Sequence, residues 1–200
     1  MRNSIVVRWL VLLVTYFVYK TRYWGKVNFK GFTYFYAGKG GRIEFKGKGT
    51  IVNNYSVSNA FGLFQRTIFY APGGHITIGE DCGISGTSFC SMVEITVGNR
   101  VQVGANCKIM DNDQHSLDPA ERYKDIRDNV GKRPVHIGDD CFIGASSIIL
   151  KGTTLGRNCV VGAGSVVHGE FPDNCVIAGN PAKIIKHLES NENLSNNCNL

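Results

Sequence analysis

Through the second half of the chain aliphatic residues recur every six positions: Ile137, Ile143, Ile149, Leu155, Val161 and Val167. Four positions after each aliphatic comes a small residue, Cys141, Ser147, Thr153, Cys159 and Ser165, and glycine follows several of them, as at Gly138, Gly144, Gly156 and Gly162. A period of six belongs neither to an amphipathic helix nor to a single alternating strand. It marks a solenoid, whose units bury their apolar faces only by stacking on one another. A branched side chain inside, a small one under the corner and glycine where the chain turns predict a parallel β-helix of six-residue faces, three faces making a coil of about eighteen residues. On that spacing Cys141 and Cys159 stack. The same phase is legible at Ile78 and Ile84 and, after a slip of one position, at Val97, Val103 and Ile109.

Between Ile109 and Ile137 the period stops, and the polar text MDNDQHSLDPAERYKDIRDNVGKRP predicts a protruding loop over 111–134, the kind of segment that carries function. The β-helix itself is expected over 76–180. Residues 23–75 are aromatic and glycine-rich with weak periodicity, which predicts irregular first coils and a cap. Asn180 suits a helix N-cap and Pro181 a first helical position, so 181–200 predict a C-terminal capping helix followed by a polar tail. Residues 1–22 predict a helix with an apolar run from Trp9 to Tyr19 broken only by Thr15, short of the roughly twenty residues a bilayer span needs. No small-residue cleavage site follows it. Such a helix lies in a membrane interface or packs on the solenoid or a neighbouring subunit.

Two hundred residues with 24 glycines and five prolines suit one turn-dense all-β domain. The net charge of +6 is uneven: residues 1–50 hold ten Lys and Arg against Glu44 alone, so this end seeks an anionic partner or surface. The seven cysteines form no C-x-x-C pair and no zinc-type spacing with histidine. Cys82, Cys107, Cys141 and Cys159 occupy the small corner position, where a thiol serves as a small hydrophobe. Unpaired cysteines favour a reducing compartment, the cytoplasm.

These features resemble a known family, the hexapeptide-repeat acyltransferases, in the branch of galactoside and maltose acetyltransferases and polysaccharide or lipopolysaccharide O-acetyltransferases. The resemblance covers about residues 75–188 and rests on a histidine at the loop's start, then RPVHIGDDCFIGASSIIL, LGRNCVVGAGSVV and FPDNCVIAGNPAKIIK in that order. It implies a left-handed parallel β-helix, an exception to the right-handed crossover rule, and a homotrimer with active sites between subunits. It also implies acetyl-CoA as acyl donor and no metal. By resemblance His115 is the catalytic base; a neutral imidazole suits removal of a hydroxyl proton during attack on a thioester. Asp111 and Asp113 precede it, either to hold its tautomer or to cap the last β-face.

The resemblance further implies that the backbone N–H of Ala145 stabilises the developing oxyanion. The coenzyme A arm would run by Ala145, Ala163, Gly164 and His168, with Lys183 and Lys186 reaching its phosphates as point charges where the family often has arginine. Ser88 and Glu94 are candidate acceptor contacts, as is Phe142, which stands where the branch often carries tryptophan. Arg122, Lys124 and Arg127 are placed to meet an anionic sugar.

The expected function is therefore O-acetyl transfer to a sugar hydroxyl of a cell-surface polysaccharide or its precursor, with N-acetyl transfer to an amino sugar nucleotide as the alternative. The expected partners are a carbohydrate acceptor and a membrane met peripherally through residues 1–22 at its inner face, not a nucleic acid. A gamma-type carbonic anhydrase would need a histidine pair near His115, but position 120 is alanine and the next histidine is His136. A non-catalytic binding solenoid is the remaining rival.

Overall fold

The computed structural model describes residues 5–55, 62–124 and 129–189. Arg127, Cys198 and the expected polar tail lie outside them.

Short parallel strands wind into three flat faces, and each inward side chain stacks on its counterpart one coil away. On the first face the ladder runs Phe29, Val52, Ile84, Val103, Ile143, Val161, Ile177. On the second it runs Phe35, Phe69, Phe89, Ile109, Ile149, Val167. The third carries Phe45, Ile78, Val97, Ile137, Leu155, Phe171. All of these side chains are buried, so a single apolar column runs the length of the domain.

Regular coils step by eighteen, as from Ile143 to Val161 and from Ile149 to Val167. The step from Ile78 to Val97 takes nineteen, which accounts for the slip of phase. From Ile109 to Ile149 it takes forty, and the surplus is the protruding loop. The corners demand left-handed backbone, met at one edge by Asp81, Arg100, Asp140, Asn158 and Asn174 and at the next by Asn106, Ser146 and Gly164. Asn, Asp and Gly dominate there because they tolerate that conformation best.

Residues 23–75 are more regular than expected. The strands Val27–Lys30, Tyr34–Ala37, Arg42–Phe45, Thr50–Asn53 and Ile68–Ala71 pair in register with the later coils. Phenylalanine replaces aliphatics at the inward positions, and the step from Val52 to Ile84 takes thirty-two residues, which breaks the period. Asn106 fastens residues 62–64, accepting the Phe64 N–H at 2.9 Å and donating to the Gly62 carbonyl at 2.9 Å.

The two ends are closed by different elements, the first by a helix packed on the solenoid, one of the placements expected for it. Helix α1 (Ile5–Arg22) caps the first coil. Its Tyr16 and, just past its end, Tyr23 are buried, and the Tyr19 ring stacks on Phe35 at 4.4 Å. The Tyr16 and Tyr23 hydroxyls donate to the carbonyls of Gly31 and Ile43.

The expected C-terminal capping helix is a strand instead: Ala182–His187 runs antiparallel to Cys175–Gly179. Pro181, joined to Asn180 by a cis peptide, occupies a two-residue turn rather than a first helical position. β-Branched Ile184 and Ile185 suit a strand, and the last coil offers an open edge whose backbone groups this pairing satisfies.

The corner thiols are buried at Cys82, Cys107, Cys141, Cys159 and Cys175. Each reaches a backbone carbonyl, as Cys107 does to Gly144 at 3.2 Å and Cys141 to Gly156 at 3.1 Å. Burial pushes Cys107 up to about 11 and Cys175 up to about 12, so neither forms a thiolate at neutral pH. We expect these five cysteines to stay unalkylated by iodoacetamide at pH 8 in the folded protein and to react fully in guanidinium, read by peptide mass spectrometry. Labelling of any of them in the folded protein within minutes would show that its corner opens.

Candidate active site

The protruding loop leaves the corner between the second and third faces, and its feet are zipped together. Arg133 N–H donates to the Asp111 carbonyl at 2.8 Å, Asp113 N–H to the Gly131 carbonyl at 2.9 Å, and Asn112 bridges Lys132. Asp111 is fully buried. Its Oδ1 accepts from Met92 N–H at 2.7 Å and Asn112 Nδ2 at 2.9 Å; its Oδ2 accepts from Ser91 Oγ and Val93 N–H, both at 2.8 Å. With its acceptor sites filled, Asp111 fastens the 91–93 turn and has no oxygen left to orient an imidazole.

Asp113 turns the other way, its carboxylate pairing with Lys151 Nζ while its carbonyl accepts the His115 N–H at 2.7 Å. Gln114 adopts left-handed backbone (φ 65°) and donates through Nε2 to Asn112 Oδ1 at 2.8 Å and Cys90 Sγ at 2.9 Å. His115 thus leaves a rigid neck with its side chain on the exposed surface.

Lys151 and Gln114 were not singled out by the sequence. A cation and an amide among polar turn residues carry no signal until the fold brings them to the neck. Lys151→Ala should speed hydrogen exchange of the Asp113 and Arg133 amides about fivefold, corresponding to ~1 kcal/mol for a partly exposed ion pair. Unchanged exchange would show that the backbone zipper holds the neck by itself.

Beyond the neck, α2 (Pro119–Tyr123) is capped by Asp118, which accepts the Ala120 N–H at 2.7 Å. Arg122 binds the Ser116 and Leu117 carbonyls at 2.9 and 3.0 Å, so its guanidinium braces its own loop. Leu117 and Tyr123 project from the loop, 83% and 92% exposed.

The second cluster lies at the corner between the first and second faces. Ala145, Ala163 and Gly164 stack there, with the Gly164 N–H donating to the Ala145 carbonyl at 2.9 Å. Among the described hydrogen bonds the N–H groups of Ala145 and Ala163 donate to no protein acceptor. A Cβ on Gly144 would stand 2.5 Å from the Ala163 nitrogen, so only glycine lets the coils approach this closely. The C-terminal hairpin tip sits over the same corner, held by the Gly179 N–H to Ser165 Oγ at 3.1 Å, and brings Lys183 with it. Lys186 lies farther along that strand, and both lysines are exposed.

Other candidates are dispersed. His168 follows the strand Val166–Val167, at the opposite edge of the second face from Ala163. Ser88 opens the second face, at the end away from the loop, and Glu94 opens the third face, beside the corner from which the loop departs. Phe142 projects from the first face into a groove of about 310 Å³ that Lys30, Asn53, Ser85 and Gln102 also line. The three acceptor candidates therefore do not share one pocket of a single chain. His115 and Ala145 are likewise divided by the second face, about 20 Å of extended chain from Ala145 to Lys151.

Comparison with known proteins finds the same repeat and fold elsewhere. Residues 134–168 match the family model described as hexapeptide repeat of succinyl-transferase. A galactoside O-acetyltransferase from Lactococcus lactis is 32% identical over 132 residues, covering 64% of this chain and 62% of that protein. A maltose O-acetyltransferase from Clostridium difficile superposes with a TM-score of 0.54 at 30% identity, covering 74% of this chain and 67% of that one. A hexapeptide-repeat acetyltransferase from Vibrio cholerae, solved with acetyl coenzyme A, gives 0.53 at 29% identity, covering 63% of this chain and 70% of that one. The chain spans 37% to 62% of the length of the first curated relatives it matches.

Proposed function

The chain belongs to the hexapeptide-repeat acetyltransferases, with their left-handed parallel β-helix, and from that premise we propose that it transfers acetyl from acetyl-CoA to a hydroxyl of a sugar in a cell-surface polysaccharide or its precursor. The observation that carries this reading is the corner at Ala145, where a backbone N–H without a protein acceptor lies beside the stacked Ala163 and Gly164 and below Lys183. Such a donor, fixed in place by the stacked coils, suits an oxyanion.

In this reading the His115 imidazole takes the proton from the acceptor hydroxyl as its oxygen attacks the thioester carbonyl. The N–H of Ala145 holds the tetrahedral oxyanion. Collapse breaks the C–S bond, and the imidazolium returns the proton to the leaving thiolate, giving free coenzyme A and the acetyl ester. No acyl-enzyme is involved, in keeping with the burial of the thiols of Cys82, Cys107, Cys141, Cys159 and Cys175. That the cysteines among the described residues are unpaired supports a cytoplasmic location.

The separation of His115 from Ala145 supports a homotrimer in which His115 of one copy serves the donor corner of the next. Release of free thiol from acetyl-CoA, followed against sugars, amino sugars and nucleotide sugars, tests the function. Turnover with a hydroxyl acceptor, yielding a hydroxylamine-labile ester, is expected. Turnover with amines alone would transfer the reading to N-acetylation, and none with any acceptor would overturn it.

A further inference from the structure

Helix α1 is apolar on two opposite faces, and the solenoid uses only one. One side, Tyr16 and Tyr19 with Tyr23 just past the helix end, sits on the first coil. Opposite it, Leu10, Val11, Leu13, Val14, Phe17 and Val18 are each between 42% and 62% exposed. On a 3.6-residue wheel Lys20 falls at one margin of this arc, beside Trp9 and Leu13, and Arg22 at the other, beside Val18. Both cations are held there by aromatic rings, Lys20 over Tyr16 at 5.7 Å and Arg22 over Tyr23 at 5.5 Å.

The coil beneath continues the charge. Lys26, Lys30, Lys39, Arg42, Lys46 and Lys48 are exposed, and the single acid among them, Glu44, is paired with Arg42 at 3.0 Å. Trp24 stands 78% exposed at the same end, beside a recess of about 670 Å³ that Lys20 and Lys26 also line. No helix among the described residues is long and apolar enough to cross a membrane.

We infer that the exposed face of α1 docks this protein on an anionic lipid bilayer. The apolar arc enters the headgroup region along the membrane plane, the flanking cations meet lipid phosphates, and Trp24 lies at the interface, where its amphipathic ring is favoured. A second copy of the chain would match the apolar arc but not its cationic margins, which would then face like charge. The long axis of the β-helix consequently points away from the membrane, with α1 at its base.

The test is flotation of the full chain with vesicles of phosphatidylcholine alone or with about a third phosphatidylglycerol. The wild type should float with the anionic vesicles, bind neutral ones at least about tenfold more weakly, and come off as salt rises. Leu10→Glu with Phe17→Glu changes only exposed positions and so leaves the core packed, whereas truncating the helix would uncover Phe35. The double variant should lose at least about tenfold in binding to anionic vesicles, with unchanged oligomeric mass by light scattering. Its thiol release with a water-soluble acceptor should also be unchanged, which separates failure of docking from failure of the acetyltransferase reading. A wild type that stays in the aqueous phase, or a double variant that floats equally well, overturns the inference. So does a variant whose oligomer dissociates while its lipid binding persists, which would assign the face to a second copy.

Discussion

His115→Ala should lower kcat by about 10²- to 10⁴-fold while acetyl-CoA binds as tightly as to the wild type, because a positioned base contributes on that scale to proton transfer. The residue suits such a test. Its side chain is exposed, and the neck below it is held by main chain, by Asp111 and by the Asp113–Lys151 pair, so removing the ring leaves those contacts in place. Steady-state kinetics beside calorimetric titration with coenzyme A separates the two quantities. Loss of coenzyme A binding together with turnover would make His115 a donor-site residue, and no loss of either would remove it from the chemistry. Asp111→Asn should behave differently, destabilising the 91–93 turn, since the four groups that bond to it include two backbone donors, Met92 and Val93.

Phe69→Ala should cost about 3–5 kcal/mol of stability, the range for emptying an aromatic site in a rigid core. The Phe69 ring is fully buried between Phe35 and Phe89, stacked at 5.4 and 5.0 Å, and meets the edge of Phe45 at 5.3 Å. Through Phe35 the same column reaches Tyr19 of α1, so the cavity would open inside the β-helix one coil from the helical cap. Urea unfolding at fixed protein concentration measures the effect as a lower midpoint with an unchanged slope. A shift under about 1 kcal/mol would mean that the neighbouring rings collapse into the gap.

How much of this was legible follows from what each element needs. The period of six over 137–167 is sufficient because every inward position there is aliphatic and every coil has the same length. Upstream the same architecture is written in Phe29, Phe35, Phe45 and Phe69, and residues 54–67 break the count, so the first coils read as irregular. Pro181 is ambiguous by nature: it starts a helix or forms a turn, and only the open edge of Cys175–Gly179 decides between them. For the site, the motifs pointed to two corners of the fold but carried no sign of the distance between them. The dispersal of Ser88, Glu94 and Phe142 over three faces follows from the winding and not from the spacing of those residues in the sequence.

The claim that His115 of one copy serves the donor corner of another is tested most directly by mixing two inactive chains. His115→Ala lacks the base, and Ala163→Trp fills the exposed donor corner. Refolded together in equal amounts, they should recover about a quarter of wild-type turnover, the statistical share of trimer interfaces that pair an intact histidine with an intact corner. If the mixture stays as inactive as its two parents, while each parent alone still assembles, the working site lies within a single chain and the account is wrong.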